Sequence, residues 1–75
     1  MSDQPKIAVR FTEYERYDIM QDCDTVVFMA TFDKGSFFTE VPNLSARQVR
    51  EQRAIFRDRA IECMRDGVSP QRIQL

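Results

Sequence analysis

Seventy-five residues suffice for one domain with a thin core, because short chains bury a smaller share of their surface than long ones. At 43% hydrophobic content, with six Phe and two Tyr, the chain can fold, and self-association or a partner is expected to add to its stability. The absence of His excludes a Ser-His or Cys-His catalytic pair and any His-ligated metal.

No apolar run approaches the ~20 residues that span a bilayer. The opening Met1-Ser2-Asp3-Gln4-Pro5 lacks the basic start and apolar stretch of a secretory signal. A cytoplasmic location is therefore expected. Cys23 and Cys63 make neither a close-spaced metal or redox pair nor a disulfide framework, so both are expected reduced. Cys23 sits in Asp22-Cys23-Asp24, where flanking carboxylates disfavour a thiolate.

Eleven basic and twelve acidic residues give a net charge of -1, which argues against a nonspecific polyanion binder. The charges are segregated. Residues 1–44 carry four basic groups against eight acids, whereas residues 45–66 carry six arginines against Glu51, Asp58, Glu62 and Asp66. The acidic front and basic back either attract each other within the fold or offer partners two surfaces of opposite sign.

Taken in order, residues 1–5 read as a flexible tail. From Lys6, Ile7, Val9 and Phe11 alternate with Ala8, Arg10 and Thr12, the pattern of a half-buried strand. Tyr17 and Ile19 resume the same parity, so the strand either runs long or bends near Thr12–Tyr14. Gln21-Asp22-Cys23-Asp24 supplies turn formers. Thr25 to Phe32 is apolar on both faces, which predicts a central strand or an exposed face awaiting a partner. Asp33-Lys34-Gly35-Ser36 is a hairpin loop, and Phe37–Val41 returns as a third strand ended by Pro42.

The strongest local signal is a helix over 45–66. Ser45 and Gln48 form a capping box, with Leu44 and Val49 at the hydrophobic-staple positions. At 100° per residue, Val49, Phe56, Ala60, Cys63 and Met64 fall within about 60° of one axis. Gly67 provides a left-handed C-cap, and Val68 can fold back onto the apolar face. The expected fold is α+β: three antiparallel strands within 6–41, a single C-terminal helix across one face, and a C-terminal tail over 67–75.

Five features are candidate sites. Arg50, Arg53 and Arg57 flank the apolar stripe with no acid three or four residues away. They can grip phosphates or carboxylates, or be neutralised by the acidic hairpins. Ile55 points away from the stripe and is either a lone exposed residue or a contact with a second copy. Tyr14 and Tyr17 stand among acids and suit an adaptable contact surface or one exposed strand face. Asp18, Asp22 and Asp24 bracket a turn but lack the Gly of a calcium loop, so no metal is expected there. Val27, Met29 and Phe38 fall on the sheet face that one helix leaves uncovered, an apolar remainder that usually goes to a partner.

Catalysis has no foothold, since no nucleophile setting exists and only Gly35 and Gly67 are available for a phosphate loop. The expected function is a small non-enzymatic binding or regulatory protein, without cofactor or small-molecule substrate and off the membrane. It docks on a protein partner or on itself as a homodimer. The alternative is a nucleic-acid-binding regulator using the arginine flank.

Overall fold

The computed structural model describes residues 8–42 and 45–75. Three strands, β1 (Arg10–Asp18), β2 (Cys23–Phe32) and β3 (Gly35–Pro42), precede one helix, α1 (Ala46–Arg65). The sheet is antiparallel in the order β1-β2-β3, and α1 lies across one of its faces. This is the α+β arrangement expected from the hydrophobic periods. The expected tail over 1–5 and the staple residue Leu44 lie outside the described residues.

Nine consecutive pairs, from Arg10↔Thr31 to Asp18↔Cys23, join β1 to β2 without a bulge. Of the two possibilities for this strand, running long and bending, the chain adopts the first. Ile19 does not continue it. Asp18 stops the strand, because its Oδ1 accepts from the Met20 and Gln21 backbone N–H groups at 2.9 and 3.2 Å. Asp22 then turns the chain with φ at 54°. The second connection is tighter than the four-residue loop expected: Gly35 and Ser36 are already paired with Phe32 and Thr31, so only Asp33 and Lys34 form the turn.

Strand β2 is central and buried on both faces. Its even positions Val26, Phe28 and Ala30 face the helix and join Phe37, Phe56 and Ala60 in the core. The Phe28 and Phe56 rings sit 5.8 Å apart between sheet and helix, and Phe32 stacks on Phe37 at 5.5 Å. Val49, Cys63 and Met64 complete the helical stripe, half-buried against the same cluster.

Both ends of α1 close as the sequence predicts. Ser45 Oγ accepts from the Gln48 N–H at 3.2 Å, while Gln48 Oε1 accepts from the Ser45 N–H at 3.0 Å. At the other end the Val68 N–H reaches the Cys63 carbonyl at 3.0 Å and the Gly67 N–H reaches Met64 at 3.3 Å. Gly67 has φ at 73°, the left-handed residue that this Schellman closure requires. Val68 folds back against the core.

Beyond α1 the chain does something the hydrophobic period did not announce. Arg72 forms a parallel bridge with Phe38 on the outer edge of β3. The Phe38 N–H donates to Gln71 O at 3.4 Å, and Phe38 O accepts from the Ile73 N–H at 2.8 Å. Ile73 is buried in the core. Gly35 allows this approach, since a Cβ at that position would stand 2.8 Å from Pro70 Cγ.

The face opposite the helix corrects one expectation. Val27 is only 3% exposed there, and so is Thr25 beside it. Arg16 on β1 reaches over β2 to Glu40 on β3, Nη2 to Oε2 at 2.7 Å. The register sets Arg16 opposite Thr25 and Glu40 opposite Val27, so the ion pair and its aliphatic stems lie across that stretch. Met29 and Phe38 are half-buried. The apolar remainder on this face is thus largely covered by the sheet's own side chains.

Candidate functional site

The two edges of the sheet differ. The β3 edge carries the Gln71–Ile73 segment and ends in Pro42. Among the described residues, nothing pairs with the outer edge of β1 over its nine residues. A long unpaired edge is a template for another strand, which proteins ordinarily blunt with proline, bulges or lysines. β1 has no proline, bulge or lysine, and its charged residues Arg10, Glu13, Glu15, Arg16 and Asp18 are of both signs.

Hydrogen-bond alternation identifies the groups this edge presents. Phe38 uses both backbone groups outward, toward the C-terminal segment, so Phe37 and the other odd positions of β3 bond inward to β2. The even positions of β2 are then engaged with β3, and its odd positions with β1. Through the register, Arg10, Thr12, Tyr14, Arg16 and Asp18 bond to β2. The N–H and C=O groups of Phe11, Glu13, Glu15 and Tyr17 therefore point away from the sheet.

Exposed apolar groups gather along the same hairpin. Tyr14 is 51% exposed and Tyr17 55%, and the turn beyond them carries Ile19 at 84% and Met20 at 94%. Sequence patterning put Ile19 on the apolar parity of the first strand and did not single out Met20. Their available signal was the placement of two large apolar side chains beside the turn formers Gln21 and Asp22, where neither helix nor strand can bury them.

The arginine flank lies above this edge, and its members differ in state. Arg53 grips Glu13 with two nitrogens, Nη2 to Oε2 at 2.8 Å and Nε to the other oxygen. This hydrogen-bonded guanidinium, with Arg57 nearby, holds the Glu13 carboxyl below the usual carboxylate range against partial desolvation, and Glu13 raises Arg53 in return. Arg57 lies over the Phe11 ring with its guanidinium carbon 5.0 Å from the centroid. Arg50 is exposed. Of the two possibilities for the flank, internal neutralisation holds for Arg53.

Ile55 is 43% exposed on the outer face of α1, away from the hairpin. Tyr14, Tyr17, Arg53 and Arg57 thus share the β1 side of the molecule, while Met29 and Phe38 remain on the far face and Val27 is buried. Asp18 uses one carboxylate oxygen on its turn. No candidate metal cluster of three or more Cys, Asp or Glu occurs among the described residues. A partly open hollow lined by Phe11, Glu13, Phe28, Arg53, Phe56 and Arg57 measures about 60 Å³, room for water but not for a metabolite. No helix among the described residues is long and apolar enough to cross a membrane.

In comparisons with protein-family models, curated proteins and solved structures, nothing matches this chain.

Proposed function

We propose that this chain is a small non-enzymatic docking protein that takes an extended strand of a protein partner, itself included, onto the free edge of β1. The observation that carries this reading is the nine-residue edge itself, with four residues' backbone groups turned outward and exposed Tyr14 and Tyr17 along it. Main-chain hydrogen bonds supply affinity in such strand addition, and alternate side chains supply selectivity. Ile19 and Met20 extend the contact at the hairpin tip. The arginine flank serves the same surface: Arg53 fixes Glu13, and Arg57 shields Phe11. A phosphate backbone would have to displace those contacts, which weighs against the nucleic-acid reading.

The test is affinity capture with nuclease, comparing the native bait with Glu15→Pro and counting a differently tagged copy of the chain among the preys. Proline at position 15 removes an outward N–H and leaves the β1–β2 ladder intact. A protein retained by the native bait and lost with Glu15→Pro supports the reading. Equal preys on both baits, no prey, or preys lost with nuclease overturn it.

A further inference from the structure

Resting on that docking reading, we infer that the strand received by β1 is β1 of a second copy, paired antiparallel about a two-fold axis at Tyr14. Three features of the strand lead there. First, a two-fold axis normal to the sheet keeps both helices on one side and pairs residues of equal parity, so the outward groups of Phe11, Glu13, Glu15 and Tyr17 meet their counterparts. Second, the register centred on Tyr14 is the one that overlaps all nine residues of the strand. Third, its charges fit. Arg10 falls opposite Asp18 of the second copy, twice by symmetry, and Asp18 spends Oδ1 on its turn and keeps Oδ2 available.

The remaining pairs are compatible. Phe11 meets Tyr17 on the helix side, and Tyr14 meets its own counterpart on the far side, both favourable cross-strand combinations. Glu13 falls opposite Glu15, a like-charge pair. Arg53 already neutralises Glu13, and Arg57 adds a second positive charge near the same carboxylate. Neighbouring registers fare worse. Centring on Glu13 opposes Arg10 to Arg16 and Glu13 to itself, whereas centring on Glu15 opposes Glu15 to itself and leaves Arg10 beyond the overlap. The acidic strand and the basic helix flank at one edge are therefore self-complementary, and the product is a continuous six-stranded sheet with Gln71–Ile73 bonded to Phe38 on each outer edge.

Sedimentation equilibrium over a dilution series, together with site-specific cross-linking, tests this pairing. The native chain is expected at twice 8.9 kDa and Glu15→Pro at 8.9 kDa with an unchanged far-ultraviolet spectrum. In case the proline variant fails to fold, Tyr14→Cys supplies an independent readout. The axis sets the two introduced side chains about 4.5–5.5 Å apart at Cβ, so mild oxidation links them. Arg16→Cys, which faces Thr12 of the second copy, does not link, and both variants retain the native Cys23 and Cys63 as background. A native chain at 8.9 kDa at every concentration, a dimer that persists in a folded Glu15→Pro, or equal linking by the two cysteine variants overturns the inference. A monomer that still captures another protein through Glu15-sensitive contacts defeats only the second copy as occupant, whereas a monomer with no such prey defeats the docking reading as well.

Discussion

Arg53 and Glu13, forty positions apart in the chain, close one side of the core through a two-point ion pair between the helix and the outer strand. Beneath it lie Phe28, which is paired with Glu13 in the sheet, and Phe56 of the helix. The pair thus ties the charge segregation visible in the sequence to the packing of two buried rings.

This pair makes stability depend on acidity in a definable window. Glu13 titrates below its ordinary value of 4.5 in the folded chain, because Arg53 hydrogen-bonds the carboxylate. A lowered folded value means the contribution is complete above about 4.5 and is lost as pH falls through the folded value. Thermal melts of the native chain and Glu13→Gln should therefore differ most at neutral pH and converge in acid. Curves that stay parallel through this window would show that the pair adds nothing, as exposed pairs often do.

Phe56 is the helix's principal anchor, 1% exposed and stacked on Phe28. Truncating a buried Phe to Ala costs about 3–5 kcal/mol. A 75-residue domain has roughly 4–11 kcal/mol in total at 0.05–0.15 per residue. Phe56→Ala should abolish a cooperative denaturant transition or leave it near zero denaturant. Phe56→Leu should retain it, at a lower midpoint.

The C-terminal segment is part of the fold. Ile73 is 7% exposed, and removing its side chain to Ala should cost about 2–5 kcal/mol, measurable as a shifted urea midpoint. Gly35→Ala should act on the same contact, because the added Cβ collides with Pro70 and Gly35 has φ at 141°. Hydrogen exchange should then show the Phe38 and Ile73 amides losing protection together, ahead of the amides in the centre of β2.

At the start of α1, Ser45→Ala removes the acceptor for the Gln48 N–H and should cost about 1 kcal/mol, whereas Ser45→Asp should be nearly neutral or stabilising. Equal stability of all three chains would mean that packing alone holds the first turn.

Most of the architecture is written locally. The capping box at Ser45 and Gln48, the left-handed Gly67 and the stripe from Val49 to Met64 each depend on neighbours within a turn or two, so their positions follow from spacing alone. The alternation in β1, the two-sided apolar run of β2 and the return through Phe37 likewise mark three strands, but the run of β2 suited a central strand or a face awaiting a partner, and the structure puts β2 in the middle. What spacing does not carry is which long side chains meet across the sheet. Arg16 and Glu40 are 24 positions apart, and their bridge over β2 covers Val27, a residue whose pattern predicted an uncovered face. The state of the arginine flank had the same origin: the helix pattern showed Arg53 without an intrahelical partner, and only the crossing of α1 over β1 set Glu13 against it.

The sequence by itself therefore determined the elements, their order and the faces they turn to a common core, since period and capping chemistry act over a few residues. Tertiary structure alone decided that the eight residues after Gly67 fold back, so that Gln71–Ile73 bond to Phe38 on the edge of β3 while, among the described residues, none pairs with the outer edge of β1. The physical reason is that an edge is satisfied by backbone groups, which every residue carries, so no side-chain pattern records which segment will arrive to pair with it.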